Sequence, residues 1–486
     1  MTTSVFFTNL VWVLLLANWV VEWNWREKFA DFRHNYLLQA FLALLVVHLV
    51  WLIGTENMEY ALYDLQKKLP LFLIPLVILT TPAPNPKEAL NIGICYVGTV
   101  LVVTVIGLVR FLTIEDLPYR EIVPYISHIR FGLNVCLSLA ILIWATLKFH
   151  RPWLYLIDAL LSLWFLIFLL LIHSYTSFII LLATSVVLLL AYRHRLSLPY
   201  RHAATIGVGA ILLLTIGLCG YYCYDYYHLR PLSTGALAST TPNGNPYQHR
   251  KDGLIENGNY VHYYVCEKEM EREWGKRSNM SIDATTTTGW SVYSTLLRYL
   301  GGIGVTKDSL GMTHLTDEDI AAIEKGIANP VYLKAGPRKM VYVLCYEFEN
   351  YRCYRSVNNF STLQRLELWR NGLGVFLQHP LFGVGTGDVP DVCQERLEAT
   401  QSPLVQKQMH THNQYLNFLL AFGLTGFSVI AFFFIRAIAR THSCRRILFT
   451  AFLCIVLISF VSEDTLETLA GITFTSFFIA LLSRHK

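Results

Sequence analysis

The chain has 486 residues, of which 54% are hydrophobic and only 15% charged, against roughly 25% charged in soluble proteins. That balance excludes an ordinary soluble globular protein and points to a chain that crosses a bilayer repeatedly. The net charge of +5 calls for no nucleic-acid partner, because no basic patch is interleaved with aromatic residues as a nucleic-acid groove requires.

Apolar runs near the length of a bilayer span recur at 5–22, 36–54, 69–80, 89–109, 129–147, 152–172, 175–192 and 204–222, and again at 413–435, 447–461 and 467–483. The expected fold is an all-α polytopic membrane protein of about eleven transmembrane helices, or twelve if one is missed. The run 69–80 is short and carries Pro70 and Pro75, and the lysines and acids just before it read as an interfacial helix without chemistry. Three expected domains follow: an N-terminal bundle at 1–222 (about eight helices), an extracytoplasmic insertion at 223–411, and a C-terminal bundle at 412–486 (about three helices).

Basic residues set the orientation. Lys148 and Arg151, then Arg193, Arg195 and Arg201, then Arg436, Arg440, Arg445 and Arg446, and finally Arg484 and Lys486 can all be cytoplasmic if spans alternate. The insertion and His412 then face outward, and with eleven spans so does the N-terminus.

The insertion is too long for a plain connector and reads as mainly helical. Its stretch 232–260 reads as loop. "WSVYSTLLRYLGG" reads as a helix ended by Gly301-Gly302. "HLTDEDIAAIEKGIANP" reads as a helix with Thr316 as N-cap, Asp319 completing a capping box, Leu315 and Ile320 as a staple, and Asn329-Pro330 as the stop. Residues 360–378 form an amphipathic helix with Leu363, Leu366, Leu373, Phe376 and Leu377 near one face, lying on the membrane surface or capping the bundle. "GVGTGD" at Gly383–Asp388 lacks the strand and lysine of a P-loop and reads as a tight turn. Of ten cysteines, Cys266, Cys345, Cys353 and Cys393 fall in the insertion, where an oxidising compartment would allow two disulfides.

Several polar groups gather at the outer ends of spans. His412 opens an apolar run at the membrane–water boundary, where an imidazole takes a proton from a hydroxyl or simply sits as an interfacial polar residue. Asn413 beside it suits a helix cap. Arg365 suits a pyrophosphate, or a solvated face with Trp369 four residues on. Arg370 carries the same ambiguity. His128 and Arg130 open the fifth run on the same aqueous side, either adding charge to an anion site or snorkelling. Glu463, Asp464 and Glu467 lie at the outer side of the last hairpin, as solvated caps or as a carboxylate that orients His412.

These residues occur in an order. "STLQRLELWRNGLGVFLQHPLFGVGTGDV" followed by "HTHNQYLNFLLAFGLTG" resembles the O-antigen ligase family, the superfamily shared with O-antigen polymerases. The matching positions are Arg365, Trp369, Pro380-Leu381, Gly383, Gly385, His412, Asn413, Gly423 and Gly426. "DLQKKLPLFLIPL" and "VSEDTLETLAGITF" also look like one branch of that family. The resemblance implies an inverting glycosyl transfer with no metal or cofactor, at the periplasmic face of a bacterial inner membrane. Its donor would be a glycan on undecaprenyl pyrophosphate and its acceptor a lipid A-core sugar hydroxyl. By matched position Arg365 would hold the pyrophosphate leaving group and His412 would position or deprotonate the acceptor, which makes both the expected catalytic residues; Arg130, His128, Arg370, Asn413, Gly383 and Gly385 are expected to bind substrate. Where family members often carry an arginine after serine, this chain has Tyr175 in "HSYTSF", and Arg130 or His173 is expected to stand in. The alternatives are an O-antigen polymerase acting on the same carrier and, of a different class, a polysaccharide transporter or flippase. A transporter calls for ionisable groups or broken helices at mid-membrane, whereas the spans here read as nearly free of charge.

Overall fold

The computed structural model describes residues 5–30, 32–115, 117–195, 197–250, 253–334, 336–357, 360–405, 410–441 and 446–484. Arg445 and Lys486, counted above among the cytoplasmic charges, lie outside the described residues. The structure is overwhelmingly helical, and among the described residues its one sheet is a short hairpin, Ile255–Glu256 against Asn259–Tyr260.

Each apolar run coincides with a helix, apart from a few residues at its ends. Among the described residues, six helices are long and apolar enough to cross a membrane: Pro86–Thr113, His128–Phe149, Pro152–Leu171, Tyr175–Tyr192, Leu198–Tyr227 and Gln414–Thr441. Shorter apolar helices are Asn9–Val21, Tyr36–Val50, Ile447–Ser462 and Leu469–Arg484. The run 69–80 belongs to the longer helix Met58–Thr80, which continues through Pro70 and Pro75. The interfacial helix expected before it is therefore the first half of the same rod.

The chain folds as two compact units, residues 1–205 with 365–486, and residues 206–364. The division differs from the boundaries read in the sequence: 365–411 packs with the helical bundle. The bundle core is lined by Leu38, Phe41, Leu44, Phe131, Phe168 and Phe452, all 2% exposed or less. In the second unit, Trp274, Tyr299, Tyr342 and Tyr226 fill the core. There Arg298 pairs with the buried Glu256 at 3.0 Å and stacks on Tyr346, 3.3 Å from the ring centre.

Local signals in the second unit hold in part. Thr316 and Asp319 form the capping box of Asp317–Glu324, and Leu315 and Ile320 are buried. That helix stops earlier than expected, because Gly326 turns left-handed at φ +87°. Val292–Ile303 runs through Gly301 and Gly302 and stops at left-handed Gly304. The two disulfides that the insertion would allow are not formed among the described residues. Cys345 instead sits 3.7 Å (Sγ–Sγ) from Cys223 of the helix Leu198–Tyr227, a neighbour outside the expected set.

The amphipathic helix is Ser361–Gln378, and the apolar residues expected near one face divide between buried and exposed positions. Leu363, Leu368, Asn371 and Val375 are buried, while Leu366, Leu373 and Leu377 are exposed, together with Leu381 and Phe382.

The Gly-rich turn has a structural task. Helix Gln414–Thr441 is interrupted at Gly423 (φ 60°, ψ −169°). The break leaves the carbonyls of Leu420 and Ala421 and the N–H groups of Leu424 and Thr425 without helical partners. The segment 380–385 supplies them all: Val384 N–H donates to Leu420 O (2.8 Å), Gly385 N–H to Ala421 O (3.0 Å), Leu424 N–H to Pro380 O (2.9 Å) and Thr425 N–H to Leu381 O (3.0 Å). A Cβ on Gly383 would collide with Leu420 O, and one on Gly423 with Leu381 O. The Asp388 carboxylate then accepts the backbone N–H groups of Glu56 and Asn57 (2.8–3.1 Å) at the start of Met58–Thr80. Gly383 and Gly385 thus serve the backbone fit, their N–H groups donating to His379 O and Ala421 O.

Candidate functional site

The site is built on the connection 463–468, between Ile447–Ser462 and Leu469–Arg484. Three segments far apart in sequence converge on it. From Ser361–Gln378, Arg365 Nη2 reaches Glu463 Oε1 at 2.7 Å. From the first turn of His128–Phe149, Arg130 Nη2 lies 3.4 Å from Asp464 Oδ1. From the mouth of Gln414–Thr441, His412 Nδ1 lies 3.7 Å from the same Asp464 oxygen. The side chains of Arg365 and Arg130 are 21% exposed and His412 29%, whereas Glu463 and Asp464 are 5% or less. The acids form the floor, and the cations and the imidazole form the accessible rim.

The His412 mouth is locally determined. Asn413 caps the helix, its side chain accepting Leu416 N–H at 3.0 Å. Trp369 Nε1 donates to Thr411 O at 2.9 Å, which pins the stretch before His412 to the helix that carries Arg365. His412 itself is left-handed (φ 50°), a conformation uncommon outside glycine. On its other side Gln414, fully buried, donates to Glu467 Oε1 (3.1 Å) and accepts Leu466 N–H (2.8 Å). The spacing Arg365–Trp369 thus links the arginine to the histidine loop, in place of the cation–π contact weighed from sequence.

The two adjacent acids are pushed in opposite directions. Burial raises Glu463 above the usual carboxylate range, outweighing Arg365, Arg130 and His412. Burial also disfavours the Asp464 anion, but contact with His412 and the charges of His410 and Arg130 outweigh it and hold Asp464 at about 2. Asp464 is therefore ionised at neutral pH and faces the imidazole. His412 Nδ1 has no hydrogen-bond partner among the described residues, and a closure of about 1 Å would give it one on Asp464. His412, Glu463 and Asp464 offer ligand atoms within 4.8 Å of one another. Both carboxylates already carry a guanidinium.

The other candidates are placed differently. His128 lies at the same helix start as Arg130, its ring edge-on to Tyr119. His173 packs between Tyr119 (4.8 Å) and Tyr175 (6.0 Å, stacked), so of the two stand-ins it is Arg130 that reaches the cluster. Arg370 is exposed on its helix, and among the described residues no contact brings it to the cluster.

Lys68 belongs to the same neighbourhood, although its sequence context gave it no chemistry. On Met58–Thr80 it lies between Asp64 (2.7 Å) and Glu467 (3.1 Å), with all three side chains 7% exposed or less. The helix expected to be interfacial thus buries charges and ties them to the 463–467 connection. The available signal was a Lys-Asp pair at i,i+4 spacing immediately before the proline-bounded apolar run.

Residues 309–431 match the model of the family described as O-antigen ligase. The matched stretch includes Arg365, Trp369, the Gly-rich turn and the His412 mouth. It includes neither Arg130 nor Glu463 and Asp464. No curated protein matches the chain.

Proposed function

The chain belongs to the O-antigen ligase family through residues 309–431, and from that premise we propose that it is a glycan ligase of the bacterial inner membrane, acting at the periplasmic face. The donor is a glycan on undecaprenyl pyrophosphate, and the acceptor is a sugar hydroxyl of lipid A-core. The observation that carries this reading is the convergence of Arg365, Arg130 and His412 on the pair Glu463–Asp464.

In this mechanism the acceptor oxygen attacks the anomeric carbon of the donor, and the bond from that carbon to the pyrophosphate oxygen breaks with inversion. His412 Nε2 takes the hydroxyl proton, while Asp464 holds Nδ1 and stabilises the imidazolium. Arg365 and Arg130 receive the charge that develops on the departing pyrophosphate. Glu463 holds Arg365 in place before the donor arrives, and its raised proton affinity lets it release the guanidinium to the phosphate. The two guanidiniums on the carboxylates favour a reaction without a metal, since a divalent ion would have to displace them.

The runner-up is a polymerase that joins repeat units on the same carrier. Deletion of the gene, complemented by wild type, Arg365→Ala or His412→Ala, separates the readings. Loss of a ligase leaves long glycan on the carrier and bare core lipid, whereas loss of a polymerase leaves single repeats on the core. Restoration of normal surface glycan by both variants would refute the site assignment.

A further inference from the structure

The second unit holds a cleft of about 900 Å³ that the proposed reaction does not use. Arg230, Lys334, Arg338 and Lys339 line it with positive charge. Among the described residues the acid that pairs with them is Asp225, shared by Arg230 and Arg338. Among the same residues Lys334 and Lys339 make no ion pair, so the cleft carries surplus positive charge. Burial lowers the proton affinity of Lys339, a cost that a bound anion would offset.

Two further groups restrict the ligand. Asn259 is 3% exposed and lines the cleft, and its Oδ1 has no hydrogen-bond partner among the described residues. A buried acceptor of this kind calls for a donor such as a hydroxyl, which a fully ionised inorganic anion lacks. The ring of Tyr222 also lines the cleft, offering an apolar face of the sort on which sugar rings pack.

The depth is fixed by the helix Leu198–Tyr227. Its 30 residues span about 45 Å, more than the roughly 30 Å hydrocarbon core. The surplus at its C-terminal end is a cluster of five tyrosines, Tyr221, Tyr222, Tyr224, Tyr226 and Tyr227, the composition of an interfacial belt. A cleft that includes Tyr222 therefore opens at headgroup level.

We propose that this cleft binds the phosphorylated saccharide head of a glycolipid. The inference goes beyond the transfer reaction and rests on the proposed function only for its probe, the acceptor saccharide.

The test uses the full-length chain in phosphatidylcholine nanodiscs, with binding followed calorimetrically. The probes are deacylated, phosphorylated lipopolysaccharide core oligosaccharide, the same oligosaccharide after dephosphorylation, and inorganic phosphate; phosphatidylglycerol nanodiscs form a fourth arm. The phosphorylated oligosaccharide should bind best, and Lys334→Gln with Lys339→Gln should weaken it by about tenfold or more for each lysine replaced. Lys334→Arg with Lys339→Arg should retain binding. Equal binding of the dephosphorylated oligosaccharide, or glutamine variants that bind like wild type, would overturn the proposal. Abolition of oligosaccharide binding by phosphatidylglycerol, dependent on the same lysines, would make the cleft a phospholipid site and overturn it as well. Normal binding by a chain that fails the complementation assay would count against the ligase reading and leave the cleft standing.

Discussion

Replacing Lys68 by methionine keeps the length of the side chain and removes its charge. In the native fold that charge serves two carboxylates at once, Asp64 at 2.7 Å and Glu467 at 3.1 Å, all of them shielded from water. The variant leaves Glu467 buried without a cation and Asp64 with only the less buried Lys67, 3.4 Å away, and breaking one partner of a buried pair costs about 3–5 kcal/mol. The loss should be largely recovered in the triple variant Lys68→Met, Asp64→Leu, Glu467→Gln, where no buried anion remains, Lys67 is the partly exposed charge left over, and the new amide can still meet Gln414. The measurement is reversible unfolding of the purified protein in mixed micelles, comparing wild type, single and triple variants. Because Glu467 is tied through Gln414 to the His412 mouth, glycan transfer by the single variant should fall even at temperatures where it stays folded. A single variant within about 1 kcal/mol of wild type would show that the triad is not a closed charge network, and the reasoning from its geometry would fail.

Three further outcomes are expected. Asp464→Asn should lower transfer by about 10²–10⁴-fold, the usual weight of an oriented general base, measured as turnover of lipid-linked donor. Because Asp464 is held at about 2 in the fold, its stabilising contribution is complete above the ordinary carboxylate pKa and is lost as pH falls through about 2. Acid unfolding of wild type and Asp464→Asn should therefore converge at the acid end. Gly423→Ala forces a side chain into a left-handed residue and drives the new Cβ into Leu381 O, so the folded yield after detergent extraction should drop sharply, whereas native yield would refute the backbone pairing. Mild oxidation should join Cys223 to Cys345, whose sulfurs are 3.7 Å apart, and peptide mapping under non-reducing conditions should find that link before any involving Cys393.

The apolar runs were legible because a span needs a continuous stretch of side chains that lipid tolerates, and all of them proved helical. Asn413 was legible as a cap because a cap is a local hydrogen bond. Arg365 and His412 were readable only as members of an ordered pattern, since neither announces its partner. Glu463 and Asp464 were seen as acids at a boundary, but nothing in the local sequence separates the acid that holds an arginine from the one that faces the histidine. The apolar residues of Ser361–Gln378 divide between the core and the exposed side, because leucine spacing alone does not say which of them a neighbouring element covers. Lys68 was missed for a related reason. Charges next to an apolar run look interfacial until the partner that neutralises them, here Glu467 near the other end of the chain, is brought alongside. The glycines of "GVGTGD" were read as turn formers, and their actual partner is a break in another helix.

That break bears on how the protein is made. A hydrophobic helix normally enters the bilayer self-sufficient, with every backbone group already bonded. Gln414–Thr441 cannot, because two carbonyls and two amides at its centre are completed only by residues 380–385. Synthesis runs from the N-terminus, so that complement has already left the ribosome when Gly423 emerges. The two segments have to be matured as a pair, and an insertion long enough to separate them during translocation would strand the helix half built.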